Sequence, residues 1–226
     1  MVIQHCTITL HEPLFHATRE VGRLYETGRY LHNYALAYAF GLVHSPWYHA
    51  EQVPHYAEDL NPLVSYITPA QPEALNFSLS TFKYGEEILH VEMAQATRNT
   101  PSFGRAKEIT AESRFSCFVI SPAPIAIPRW IRLGKWHSKA QVEAQIVEDV
   151  TQRNGSYVAA AALNPLDVAA TDWQSFDIIS MPPASLVANA RCHGRHYAFG
   201  EASGLLKYSG LPIEMRYRVP SQGGRK

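Results

Sequence analysis

Within "RWIRLGKWHSK", residues 129–139, Arg129, Arg132, Lys135 and Lys139 stand beside Trp130 and Trp136, and no acid interrupts them. Guanidinium and ammonium groups neutralise phosphates and indole faces stack on unpaired bases, so the mixture suits a groove for single-stranded nucleic acid. It suits equally a solvated strand with core tryptophans. On a strand, Arg132 alternates away from Ile131 and Leu133, which lets the basic groups share a solvent face.

A second mixture lies earlier, in "REVGRLYETGRYLHNYALAY", residues 19–38. Arg19, Arg23 and Arg29 follow one another at spacings of four and six, so the first two share a face if the segment is helical. Tyr30, His32 and Asn33 carry groups that fit base edges, stacking or 2′-hydroxyl contacts. The competing reading pairs those arginines with Glu20 and Glu26 and sends Tyr34 and Tyr38 into a core. In "NARCHGRHYAFGEASG", Gly194, Gly200 and Gly204 stand beside Arg191, Arg195 and His196, an arrangement open to an anion nest or to plain turns.

Catalytic patterns are missing from the sequence. Eleven histidines are present, yet no CxxC, HxH or HExxH spacing would gather them around a metal, and no metal or other cofactor is expected. Neither a GxSxG elbow nor a GxxxxGK[ST] phosphate loop occurs. Glu86-Glu87 and Glu148-Asp149 are adjacent pairs whose side chains diverge on any regular element, so they read as solvated rather than as an acid–base dyad.

The elements that must position these groups follow from periodicity. "VIQHCTITL" alternates, with Val2, Cys6, Ile8 and Leu10 on one face, and predicts a strand ended by Pro13. Leu31, Tyr34, Ala35, Tyr38 and Leu42 keep helical spacing, predicting a helix over about 29–42 with Thr27 as cap; "REVGRLYETG" reads as a turn of helix or an ordered loop. Five prolines in 44–75 predict irregular chain. Strands are expected at "NFSLSTFKY", "ILHVEMAQA" and "RFSCFVI", with a polar, basic excursion over 96–112 forming the tip of a hairpin. "RWIRLGKW" reads as a short strand ending near Gly134. Ser138 and Gln141 make a capping box before a second helix carrying Val142, Ile146 and Val150. Asn154-Gly155 signals a turn, and the tail reads as strands joined by glycine turns. The order predicts an α+β fold with helices packed on an antiparallel sheet, ferredoxin-like arrangements included. The division is a body over 1–150 and a β-rich part over 151–226.

The 226 residues carry zero formal charge, which argues against a protein coated in nucleic acid. The balance is uneven: residues 191–226 hold seven Lys/Arg against Glu201 and Glu214, the first 190 hold thirteen against eighteen acids. Local clustering, not the total, sets phosphate affinity. No run reaches the length of a membrane span, the N-terminus lacks a basic start and signal core, and Cys6, Cys117 and Cys192 are odd in number. A reducing cytoplasm is the expected location.

Three segments together, "LHEPLFHATREVGRLYETGRYLHNYALAYA", "RWIRLGKW" and "GLLKYSGLPIEMRY", resemble the type I-D CRISPR-associated subunit of the fifth Cas family, within the repeat-associated mysterious protein superfamily. The resemblance covers nearly the whole chain, although the glycine-rich tail keeps only parts of the family's GxGxxxxxG spacing. It implies a ferredoxin-like, RRM-like body. It also implies a non-enzymatic role in a Cascade effector complex for antiviral defence, capping one end and gripping the five-prime handle of the guide (crRNA). Implied partners are crRNA, target DNA near the protospacer-adjacent motif, the backbone subunit of the seventh Cas family and the large subunit. Handle-binding residues by this resemblance are Arg19, Arg23, Arg29, Tyr30, His32, Asn33, Arg129, Arg132, Lys135 and Arg195. The 96–112 excursion becomes a thumb carrying Arg98, Phe103, Arg105 and Lys107. Two other readings compete. One is a metal-independent endoribonuclease with His32 as base beside Tyr30 and Arg29. The other is an adaptor touching only protein through the aromatics of 44–75.

Overall fold

The nine-residue alternation that opens the chain becomes the middle of its main sheet. The computed structural model describes residues 1–43, 54–84, 102–169, 172–200 and 209–220. In chain order the described elements are β1 (Val2–Leu10), β2 (Ala17–Val21), β3 (Leu24–Thr27), α1 (Asn33–Ala39), α2 (Tyr56–Leu60), β4 (Tyr66–Ile67), β5 (Gln71–Ala74) and β6 (Phe77–Tyr84). They continue with β7 (Ser102–Ile109), β8 (Arg114–Ser121), β9 (Trp130–Leu133), β10 (Ser138–Ile146), β11 (Val150–Ala159), β12 (Asp172–Ile179), β13 (Leu186–Phe199) and β14 (Ser209–Pro212). The described chain is therefore predominantly β, where the sequence predicted a more even α+β mixture.

The main sheet runs β4-β8-β1-β10-β9, with β5 also on β8. β1 is antiparallel to both neighbours, Ile8 lying opposite Phe115 on one side and Val142 on the other. Cys6, Ile8 and Leu10 are buried as the alternation predicts. Helix α1 is shorter than predicted. His32, not Thr27, caps it, its Nδ1 accepting from the Tyr34 N–H. Tyr34, Leu36, Ala37 and Phe40 join the core cluster with Ile3, Phe118 and Ile120.

The second predicted helix is a strand. Ala140, Val142, Ala144 and Ile146 alternate with Lys139, Gln141, Glu143 and Gln145, and this two-residue period sets the whole segment antiparallel to β1 as β10. Ser138 makes no capping box; its hydroxyl donates to the Pro13 carbonyl at 2.6 Å. The turn before it needs Gly134, at φ 71, where an added Cβ would meet the Phe15 carbonyl oxygen at 2.5 Å and Leu14 Cδ1 at 2.6 Å.

A second, four-stranded sheet, β2-β3-β7-β6, is assembled from two excursions of the chain, one between β1 and α1 and the other between β5 and β8. "REVGRLYETG" is thus neither helix nor loop but the β2–β3 hairpin, turned over Gly22 at φ 59 and Arg23. The predicted excursion over 96–112 is strand β7 from Ser102 onward, antiparallel to β6 through eight residue pairs. Arg98, and the strand predicted at "ILHVEMAQA", lie outside the described residues. So does 44–53 of the proline-rich stretch; the remainder is not wholly irregular, since α2, β4 and β5 form there.

The third sheet, β11-β14-β13-β12 with β11 also on β13, comprises the C-terminal part. Asn154-Gly155 does not turn: β11 runs through it, with Asn154 opposite Arg195 and Gly155 opposite Gly194. Gly194 is mid-strand in β13, so its amide belongs to a ladder and not to an anion nest. Gly204 lies outside the described residues.

Candidate nucleic-acid interface

The β2-β3-β7-β6 sheet places Arg19 of one excursion and Arg105 and Lys107 of the other on one face. Parallel register sets Leu24 beside Arg105 and Glu26 beside Lys107. Antiparallel register sets Arg19 beside Glu26, Val21 beside Leu24, Thr81 beside Arg105 and Leu79 beside Lys107. Laterally paired residues project to the same side of a sheet, so Arg19, Val21, Leu79, Phe103, Arg105 and Lys107 share a surface. Val21, Leu79 and Phe103 are 49, 55 and 41% exposed, an unusual concentration of open apolar side chains for one small sheet.

Phe103 is the focus of that face. The Arg23 guanidinium carbon lies 5.5 Å from its ring centroid and that of Arg105 6.0 Å. The hairpin is fixed to β7 by the Arg105 N–H, which donates to the Arg23 carbonyl at 2.8 Å. Lys107 lies 4.5 Å from the Phe77 ring and 3.8 Å from a Glu26 carboxylate oxygen. That ion pair is partly exposed and weak. Arg19, Arg23 and Arg105 pair with no acid among the described residues. Two guanidinium groups bracketing an exposed ring, with no acidic partner among the described residues, can hold phosphates and stack a base at one place.

The "RWIRLGKWHSK" stretch builds a different surface. Ile131 and Leu133 are buried while Trp130 and Arg132 are exposed, the alternation the sequence predicts. Arg132, however, is engaged: it lies 3.3 Å from Glu12 Oε2 and donates to the His137 carbonyl at 3.0 Å. The same Glu12 oxygen accepts from the Lys139 N–H at 2.7 Å. Lys139 Nζ lies 4.1 Å over the Trp130 ring, and His11 meets that ring edge-on at 5.0 Å. Trp136 stacks on Phe15 at 4.6 Å. Arg129 and Lys135 are exposed and pair with no acid among the described residues. Arg195 is exposed on the C-terminal sheet, 3.9 Å from Glu214. Arg29 is exposed and Tyr30 half-buried, beyond the end of β3.

His32 and Asn33 are corrections. Both are buried, His32 at 4% exposure and Asn33 at 0%, and neither can meet an RNA without opening the core. His32 Nε2 donates to the Ala184 carbonyl at 3.2 Å while Nδ1 caps α1, so both ring nitrogens serve the fold. Burial holds its pKa down at about 4, and the bond to Ala184 opposes that only in part. Asn33 donates to Asp167 Oδ2 at 2.8 Å and accepts from Asn164 at 3.3 Å. Tyr66 donates to the same carboxylate oxygen at 3.2 Å, and the Arg218 N–H to Oδ1 at 2.9 Å. Burial raises Asp167 to about 6, against the lowering effect of the Arg218 amide, Asn33 and Tyr66. This cluster ties α1, β4 and residues 164–167 to the C-terminal segment. Asp167 carries no motif; its only trace in the sequence is an acid within the apolar run "ALNPLDVAA".

Among the described residues, no group of three or more His, Cys, Asp or Glu is placed to hold a metal ion. No described helix is long and apolar enough to cross a membrane.

Residues 1–220 of this β-rich chain match the family model described as type I-D CRISPR-associated protein Cas5/Csc1. The chain belongs to that family. No curated protein matches. A chain in a cryo-EM structure of the type III-B Cmr-beta complex bound to cognate target RNA and AMPPnP is similar over 84% of this chain and 86% of its own. Sequence identity there is 8% and the TM-score 0.45, a likeness too remote to assign a role.

Proposed function

We propose that this protein is a non-enzymatic RNA-binding subunit of a type I-D Cascade effector complex in the cytoplasm. It caps one end, holds the five-prime handle of crRNA, and contributes to recognition of target DNA near the protospacer-adjacent motif in antiviral defence. The observation that carries the reading is the Arg23–Phe103–Arg105 group on an open sheet face, within a chain of the Cas5/Csc1 family. Phe103, Arg105 and Lys107 form the described part of the thumb, with Arg19 and Arg23 supplied by the hairpin beside it. Arg129 and Lys135 extend the basic surface, and Arg132 acts mainly as a strut on Glu12. The backbone subunit of the seventh Cas family and the large subunit are the protein neighbours.

The main sheet supports a ferredoxin-like reading of the body. In chain order β1, α1, β4, β8 and β10 give the lateral order β4-β8-β1-β10, a split β-α-β with β8 antiparallel between β4 and β1. Strand β9 replaces the second helix. The nuclease alternative has no support in the site, because its proposed base, His32, is sequestered.

Charge reversal at Arg23 and Arg105, followed by purification of the complex, tests the proposal. Assembled complex should lose its guide or fail to form. Full assembly with a full complement of guide would contradict it.

A further inference from the structure

The C-terminal sheet carries a second basic row that the ring-bearing face does not use. Arg191, His193 and Arg195 alternate along β13, and all three are exposed while Cys192 and His196 between and beyond them are buried. Alternate residues of an antiparallel strand stand about 6.8 Å apart on one face, comparable with the spacing of successive phosphates in an extended strand. Their cross-strand neighbours are small: Val158 and Ser175 beside Arg191, Ser156 and Asp172 beside His193, Asn154 beside Arg195. No aromatic ring is exposed among these neighbours, so a ligand here would find two guanidinium groups, an imidazole, serine hydroxyls, the exposed Val158 and the opposing Asp172 carboxylate, but no stacking platform. Among the described residues Arg191 pairs with no acid and Arg195 pairs with the exposed Glu214 alone, at 3.9 Å.

We infer that this row is a phosphate track for the backbone of a single RNA strand, reading charge but not sequence, distinct from the Phe103 face where bases are stacked. The inference rests on the RNA-binding function proposed above. Glu214 competes with the phosphate for Arg195 and weakens the track.

The test uses the purified full chain with a labelled single-stranded RNA of mixed sequence, a poly-uridine strand, and a duplex DNA of equal length, titrated over a range of salt. The double variant Arg191→Gln/Arg195→Gln should flatten the slope of log affinity against log salt by about 1.4, or two phosphates at roughly 0.7 each. It should weaken both RNAs by the same factor, about tenfold at moderate salt, with the melting temperature unchanged. Glu214→Gln should tighten both. Wild-type binding with an unaltered slope in the double variant overturns the track alone. A loss confined to duplex DNA overturns the assignment to an RNA strand. A wild-type chain that binds neither RNA overturns the function and the track together.

Discussion

Residues 19–33 contribute to two regions with opposite fates. Arg19 and Arg23 stand on an open hairpin beside Phe103 and Arg105, whereas His32 and Asn33 are sealed in a polar cluster around Asp167. Both sets are polar and both carry groups suited to RNA. What separates them is the supply of internal partners. Asn33 finds a carboxylate, an amide and a tyrosine within hydrogen-bond reach, so burial costs it little. Arg23 finds a ring and, among the described residues, no acid, and so is open to a ligand. A group that the fold has satisfied builds the fold; one that it has left open can meet a ligand.

The largest effect separating the two regions should come from the buried side. Asn33→Ala leaves Asp167 and Asn164 short of partners in the core and should cost about 2–4 kcal/mol, measured by denaturant unfolding. RNA affinity per folded molecule should not change. The open face should respond conversely. Arg23→Glu with Arg105→Glu should weaken single-stranded RNA binding by about two orders of magnitude or more at moderate salt, since each reversal both removes and opposes a phosphate contact. Stability should stay within about 0.5 kcal/mol of the parent. Phe103→Ala should follow, with a loss of about 1–3 kcal/mol of binding and a salt slope left intact, because stacking and not charge is removed.

Acid titration sharpens the contrast inside the core. His16, the residue directly before β2, and His32 are held down at about 4 by burial, so the unfolded chain takes up their protons first. Their contribution is complete above pH 6.5 and is lost as pH falls towards 4. Asp167, raised to about 6 from 3.8, works the other way: the folded state gains its proton first, and stability rises as pH falls through that window. Asp167→Asn removes the opposing contribution and should steepen the acid loss between pH 6 and 4 in thermal melts. The smallest effect belongs to Arg132→Gln. Its exposed pair with Glu12 should be worth at most about 1 kcal/mol of stability, and binding should barely move.

Much of this was legible in the sequence and some was not, for physical reasons. The central strand, the exposed alternation of Trp130 and Arg132, and the basic-aromatic character of both excursions follow from a period of two and from composition. Segment 138–146 reads as helix because Val142, Ile146 and Val150 also satisfy helical spacing; the complete alternation of Ala140 to Ile146 is the stronger signal. The hairpin was hidden by glutamates and arginines that mimic an amphipathic helix, although Gly22-Arg23 between Val21 and Leu24 is a two-residue turn pattern. Convergence of Arg23 with Arg105 was beyond local reading. It depends on a parallel pairing of β3 with β7 across about eighty residues. The Asp167 cluster was equally hidden, since one acid in an apolar run does not name its partners.

The proposed function requires an unpaired RNA strand lying against Phe103 between two guanidinium groups. Ultraviolet crosslinking of the assembled complex, with the crosslinked peptides mapped by mass spectrometry, examines this most directly. The predicted result is a crosslink to the five-prime handle within residues 102–109, abolished by Phe103→Ala. Handle crosslinks confined to other subunits, with none in this sheet, would contradict it.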